Sequence, residues 1–473
     1  MNVLLASMEV TPFGKVGGLA DVAGTLPKAL KDLGVDIRVV MPKHLSVQRV
    51  AGELTRVLPS VEVRMPTWVS GCAVDEGRLP DSDVPIYFIE HHQYFTREGI
   101  YGPPGGAYDD NLERLSFFCR AAMAFPNALG WAPDVIHLND WHTSLIAAYA
   151  KTWGTGAKTL FTGHNLGGAY QGTFPDSQLP MTGVDLAHPL LPKFVGNGLV
   201  NLARLGLVFA DKINLVSEGY AREVESPEQG AGVYDLIIER RADVSGILNG
   251  IDYDEWSPRA DKALPANFGP DDLAGKAVCK ERVQERFGLP IEPNAPLIAM
   301  VTRLDAQKGL DLIAEALDRF KGFQFAVLGT GDARFESLLR QASKRADVRI
   351  WAGFDPTLAR LVYAGSDMFL MPSRYEPCGL GQMIALAYGT IPIVRATGGL
   401  ADTIRETGAK ANGFSFEPYS SADMLAAIGR AVATYADRKA WMKLIANAFA
   451  CDFSWDASAK KYVKLYEATM GKK

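Results

Sequence analysis

Three short stretches hold residues suited to handling phosphate and sugar. "FGKVGGLADVAG" (13–24) puts four glycines and one lysine within twelve residues, just after the first apolar run. It is neither the G-x-G-x-x-G of a dinucleotide turn nor the G-x-x-x-x-G-K-[ST] of a P-loop. Gly17 and Gly18 would let an anion approach the backbone where a helix starts, and Lys15 adds a positive point charge. The competing reading is a tight turn with an exposed lysine. "VTRLDAQKGLD" (301–311) sets Arg303 and Lys308 on either side of a turn into a helix. Two such cations can neutralise a diphosphate, or they can be surface charge near a helix cap. In "MPSRYEPCGLGQMIALAYG" (371–389), Pro377 restricts Glu376 to an extended backbone and Gly379 opens a helix. One carboxylate and several backbone N–H groups are thereby aimed at one point. Two ordinary strand–helix turns would explain the glycines here and in "RATGGLADTI" (395–404), but not the Arg-x-Glu-Pro-Cys-Gly-Leu grouping.

No strong set of metal ligands accompanies these stretches. Asp109-Asp110 and Asp271-Asp272 lie in polar, loop-like contexts and read as solvated or capping residues. No metal and no cofactor is expected. If phosphate leaves, Arg and Lys would do what Mg²⁺ does elsewhere. "LGTGDARFE" (328–336) reads as a tight turn after a strand.

The elements that must position these residues alternate. Apolar runs at 2–7, 36–42, 85–90, 134–139, 159–163, 212–217 and 245–250 read as strands, with helical patterns at 18–33, 110–129, 141–153 and 198–210. The second half repeats the theme, with strands at 297–304, 324–329, 348–353, 368–373 and 391–396 and helices near 309–320, 333–346, 379–388 and 421–435. Strands alternating with helices imply an α/β fold with parallel sheets covered on both faces. The expected organisation is two doubly wound domains, 1–250 and 271–452. Residues 251–270, rich in Pro, Asp and Gly, would link them, and a closing amphipathic helix, 453–473, would pack back on the first domain. Ligands of such sheets bind beyond the carboxyl ends of the strands, where all three stretches fall.

A chain of 473 residues is too long for one ordinary core. Its net charge of −5 is spread without a polybasic block, which argues against nucleic acid and anionic membranes as partners. The opening "MNVLLASMEV" reads as a strand rather than a signal peptide, and no apolar run approaches the ~20 residues of a membrane span. Five scattered cysteines with no CxxC suggest neither zinc nor a disulfide framework, so a cytoplasmic setting is expected.

Taken together, the motifs resemble those of the bacterial glycogen synthases and plant starch synthases, retaining glycosyltransferases of the two-domain GT-B architecture. The resemblance is carried by "KVGGLADVAGTLPKAL" (15–30), "HLNDWHT" (137–143), "GILNGIDYDEWSP" (246–258), "TRLDAQKGLD" (302–311), "SRYEPCGLGQ" (373–382), "TGGLADT" (397–403) and "FSWDASAKKYVKLY" (453–466). It covers nearly the whole chain in the right order. It implies ADP-glucose as donor and an α-1,4-glucan as acceptor, extended at its non-reducing end with retention of configuration across a cleft between the domains. Lys15, Gly17 and Gly18 would face the nucleotide diphosphate sugar, with Asp21 near the nucleotide. Arg303 and Lys308 would grip the diphosphate and Glu376 would face the donor glucose. Backbone groups of Cys378, Gly379 and Leu380 would meet its hydroxyls. Phe354 falls near the nucleobase and Asn249 near the cleft. His164 and Asn165 would lie beside the transferred glucose. Asp140 and Trp141 match the acceptor side, although Trp141 could equally be core packing.

Three departures touch this pattern. Asn139 replaces the His common before Asp-Trp, "LGGAYQG" (166–172) is longer than the usual segment, and Gly381 stands where Thr is common. The same fold and charges would also suit a sugar transferase with a small acceptor, such as a sucrose-type enzyme. A silent nucleotide-sugar or glucan-binding regulator is the non-enzyme alternative.

Overall fold

Aliphatic and β-branched runs set the strands, and most of the parallel ones are followed by a helix that covers one sheet face. The computed structural model describes residues 1–103 and 105–471. It divides into two units, one formed by Met1–Gly250 with the segment from Trp455 onward, the other by Ile251–Ser454.

In the first unit the strands are β1 (Asn2–Ala6), β2 (Asp36–Pro42), β3 (Thr55–Arg64), β4 (Val69–Arg78), β5 (Pro85–Glu90), β6 (Val135–Asn139), β7 (Lys158–Gly163), β8 (Thr173–Pro175), β9 (Val195–Gly196), β10 (Leu199–Asn201), β11 (Lys212–Leu215) and β12 (Val244–Gly246). The main sheet runs β12-β11-β7-β6-β1-β2-β5-β4-β3. Pairing is parallel from β12 to β5, and β4 and β3 extend the edge as an antiparallel hairpin. β8, β9 and β10 form a separate small antiparallel sheet. Strand order reverses between β1 and β6, so the loops after these two strands part and leave room for a ligand. The helix Gly18–Asp32 packs Val22, Leu26 and Leu30 into a core that also takes Trp455, Tyr462 and Tyr466 from the closing helix Trp455–Thr469. Polar contacts seat that helix too. The Tyr466 hydroxyl meets His137 Nδ1 at 2.9 Å, and Ser458 Oγ donates to the Leu248 carbonyl at 2.6 Å.

In the second unit β13 (Leu297–Val301), β14 (Gln324–Gly329), β15 (Val348–Ala352), β16 (Met368–Met371), β17 (Ile391–Arg395) and β18 (Phe414–Phe416) form a parallel sheet in the order β15-β14-β13-β16-β17-β18. Numbered within the unit this is 3-2-1-4-5-6, the doubly wound order of a nucleotide-binding sheet. The switch point lies between β13 and β16.

Several elements differ from the sequence reading. The hairpin β3–β4 and the helices Ala274–Phe287, Pro356–Gly365 and Arg438–Phe449 are additional. The stretch 251–270, expected to be a linker, is bound into the second unit. Asp261 is buried there, accepts from the Tyr388 hydroxyl at 2.5 Å and pairs with Arg360. Among the described residues no helix is long and apolar enough to cross a membrane.

Candidate active site

At the switch point of the second unit the loop after β13 carries Arg303 and Lys308, and the loop after β16 carries Glu376. Asp305 fixes the first loop by accepting the Lys308 backbone N–H at 3.1 Å. Gly309 has φ +77°, and a Cβ there would stand 2.1 Å from the Pro372 carbonyl, so only glycine lets the two loops touch. The Arg374 N–H then donates to the Gln307 carbonyl at 2.8 Å, lacing them together. On the far side, the helix Gly398–Thr403 presses its first residues against the Glu376 segment. A Cβ on Gly398 would meet the Glu376 carbonyl at 2.1 Å, and one on Gly399 the Cys378 carbonyl at 2.1 Å. The Gly399 N–H donates to the Glu376 carbonyl at 3.1 Å. The Glu376 backbone is thus held from both sides.

These loops enclose a cavity of about 150 Å³, lined among others by Arg303, Lys308, Tyr363, Ser373, Glu376 and Gly379. Lys308 Nζ lies 2.7 Å from Glu376 Oε2, and Ser373 Oγ donates to the same oxygen at 3.0 Å. Both members of the ion pair are largely buried. Arg303 is half-exposed, contacts Gln307 at 3.3 Å and pairs with Asp305 at 3.4 Å. The cavity therefore presents one half-exposed cation, Arg303, one cation held by a carboxylate, Lys308, and that carboxylate. An entering anion would compete with Glu376 for Lys308. Leu380 and Gly381 also line the cavity, Cys378 is buried beside it, and Gly379 adopts φ +72°. Phe354 is 87 % exposed and does not line it. A bare aromatic ring on a polar loop is a surface suited to stacking.

In the first unit the loop after β1 is organised by a residue that the motifs did not reveal. Glu9 is buried, and its carboxylate accepts the N–H groups of Val16 at 2.6 Å and Gly17 at 2.9 Å. Its other oxygen accepts from the Tyr101 hydroxyl at 2.6 Å. The Gly17 N–H, expected to meet phosphate, is thus committed to Glu9. An acidic residue directly after a buried strand was its only trace in the sequence. Gly17 and Gly18 are exposed, and Lys15 extends to Asp21 at 2.7 Å. Lys15 also borders a second cavity, of about 220 Å³, with His44, Arg49 and Arg97.

The loops after β6 and β7 meet at Asp140 and His164. Asp140 has φ 57° and ψ 177°, a region nearly reserved for glycine, which costs on the order of 1–3 kcal/mol. It is held there because its N–H donates to the Thr162 carbonyl at 2.9 Å and its Oδ1 accepts the His164 N–H at 2.7 Å. Burial, followed by the nearby Glu9 charge, pushes the Asp140 carboxyl up to about 7 against the opposing backbone hydrogen bonds. His164 Nε2 lies 2.9 Å from Asn139 Oδ1, and desolvation pushes its imidazole down to about 3, so it is neutral. Asn139, one of the departures, thus orients His164. Asn165 is used locally, its Oδ1 accepting the Gly167 N–H at 2.9 Å. Trp141 packs, with its ring 3.9 Å from His142 and against Gly172, where a Cβ would stand 2.1 Å from the indole. Asn249 is buried, and its Oδ1 has no hydrogen-bond partner among the described residues.

Residues 2–239 match the family model described as starch synthase catalytic domain, and residues 281–448 match glycosyl transferases group 1. The chain is 45% identical to the glycogen synthase of Syntrophotalea carbinolica over 98% of both chains. It is 43% identical to that of Geotalea daltonii over 100% of both. The catalytic domain of starch synthase IV from Arabidopsis thaliana, solved bound to ADP and acarbose, superposes with a TM-score of 0.90 at 34% identity, covering 100% of this chain and 99% of that one. Sucrose-phosphate synthase from Thermosynechococcus elongatus shares the fold alone, at TM-score 0.60 and 18% identity over 99% of each chain. The order 3-2-1-4-5-6, the paired cations and carboxylate at its switch point, and these matches over nearly the full length agree: the chain belongs to the starch and glycogen synthase family of GT-B glycosyltransferases.

Proposed function

We propose that this protein transfers glucose from ADP-glucose to the non-reducing end of an α-1,4-glucan, with retention at the anomeric carbon and in a cytoplasmic setting. The observation that carries this reading is the grouping of Arg303, Lys308 and Glu376 around one cavity at the switch point of the second unit. The two cations are suited to a diphosphate, and the carboxylate to a sugar that gains positive charge as its bond to phosphate lengthens. The acceptor hydroxyl forms its bond to C1 on the face from which ADP departs, and the leaving phosphate takes the hydroxyl proton. Glu376 serves as a charge stabiliser and hydroxyl ligand, with backbone groups of Cys378, Gly379 and Leu380 on the sugar and Phe354 stacking on the base.

In the first unit we assign Lys15, Gly18 and Asp21 to the donor, with Gly17 seating their loop through Glu9, and His164 and Asn165 to the transferred glucose. Asp140 and Asn249 are assigned to the acceptor side. The neutral state of His164 supports hydrogen bonding to a sugar hydroxyl rather than charge pairing with phosphate. Proton NMR of maltohexaose extended with ADP-glucose tests the reading. A new α-1,4 linkage at the non-reducing end is expected, whereas a β-linked product or free glucose alone would reject it.

A further inference from the structure

Tyr363 has no place in the reading so far, yet its hydroxyl reaches the same cavity. The side chain leaves the helix Pro356–Gly365 and is only 5 % exposed. Its ring is fixed by Phe369 at 4.8 Å, Trp256 at 5.8 Å and Tyr388 at 6.5 Å between centroids. Beyond these rings its hydroxyl lies beside Gly381. A Cβ built on Gly381 would lie 3.3 Å from the Tyr363 hydroxyl, 3.1 Å from the Phe369 ring and 3.4 Å from Met371 Sδ. Tyr363 and Gly381 both line the cavity that holds Arg303 and Lys308. Among the described residues the hydroxyl has no hydrogen-bond partner. Lining the cavity, it is left for whatever enters there to satisfy. Burial raises its pKa, so it stays protonated and able to donate.

We propose that Tyr363 is a donor-binding residue, its hydroxyl donating to an oxygen of the nucleotide's diphosphate through the space that Gly381 leaves open. The inference rests on the reading of this cavity as the donor site. It gives Gly381 a function, since a side chain there would crowd the hydroxyl and narrow the cavity. It also explains why a tyrosine, rather than a wholly apolar ring, sits among Phe369, Trp256 and Tyr388.

Calorimetric titration with ADP, and with AMP as the one-phosphate control, tests this on wild type, Tyr363→Phe and Gly381→Ala, with thermal melts alongside. A hydrogen bond to a charged oxygen predicts that Tyr363→Phe weakens ADP binding about tenfold or more, with a smaller change for AMP and no loss of thermal stability. The KM for ADP-glucose should rise more than kcat falls. Gly381→Ala should also weaken ADP binding, and should weaken it less in the Tyr363→Phe background, because both changes act on one hydroxyl. If wild type binds ADP and Tyr363→Phe binds it within twofold of wild type, the role of Tyr363 is overturned while the donor-site reading stands. If wild type shows no ADP binding, the donor-site reading fails and the Tyr363 proposal with it.

Discussion

Replacing Glu376 by glutamine separates the two tasks crowded into the second-unit cavity. The carboxylate accepts from Lys308 at 2.7 Å and from Ser373 at 3.0 Å, and glutamine is of the same size and keeps an acceptor for both. What is removed is the charge. Two opposite charges about 4 Å apart near a protein surface attract by about 4 kcal/mol at an effective dielectric of ~20, so Lys308 is strongly held in the resting state. Without that hold, Lys308 is freer to meet phosphate, and the repulsion between Glu376 and a diphosphate is gone. ADP should therefore bind as tightly as before or more tightly. The developing positive charge on the sugar loses its stabiliser, which commonly costs on the order of 3 kcal/mol, or about 100-fold in kcat. The assay is kcat from ADP release with glycogen present, together with the calorimetric Kd for ADP and a melting curve to verify folding. A Kd weakened about tenfold with kcat near wild type would refute the reasoning and make Glu376 a ground-state ligand only.

Glu9→Ala removes the acceptor of the Val16 and Gly17 N–H groups and of the Tyr101 hydroxyl, so stability should fall by about 2–4 kcal/mol in urea denaturation; an unchanged midpoint would show that Glu9 does not organise the loop. Gly399→Ala forces a methyl toward the Cys378 carbonyl, so the Glu376 segment must shift and kcat/KM should drop at least tenfold, or about 1.4 kcal/mol; wild-type kinetics would contradict the close packing. Asp140 has its carboxyl raised from 3.8 to about 7, so its contribution to stability is fully present below pH ~4 and is lost as pH rises toward and through 7. Asp140→Asn, which cannot ionise, should gain on wild type across that window, and parallel stability curves from pH 4 to 8 would overturn the assignment.

Most parallel strands were legible because they are short aliphatic runs, and their order fixes where ligands bind; β18, three residues centred on a serine, was too short to show. Elements that hide their pattern were not. The helix Ala274–Phe287 buries Lys276, Lys280 and Gln284, which no apolar period would place inside. Lys276 Nζ instead satisfies itself on the carbonyls of Ala364 and Tyr388 and the Thr390 hydroxyl, and Lys280 pairs with Asp367 at 2.7 Å. The β3–β4 hairpin carries Pro59, Gly71 and Gly77 inside its strands and buries Asp75 against Lys43 and Arg56, which mask its alternation. At the site, Arg303, Lys308 and Glu376 were legible as charged residues on glycine-bearing turns after strands. Glu9 and Tyr363 were not, because a lone acidic residue in an apolar stretch and a tyrosine on a helix carry no motif. Only the folded contacts reveal what each of them faces.

Parallel kinetics with ADP-glucose and UDP-glucose at matched glycogen, following both nucleotide release and glucan growth, test the central claim most directly. Release and growth should match mole for mole, with kcat/KM for ADP-glucose about tenfold or more above that for UDP-glucose, or about 1.4 kcal/mol. The basis is stacking on a single exposed aromatic, Phe354, which favours the larger adenine without excluding uracil. Equal or greater efficiency with UDP-glucose would contradict the donor assignment, and nucleotide release without glucan growth would contradict the transfer itself.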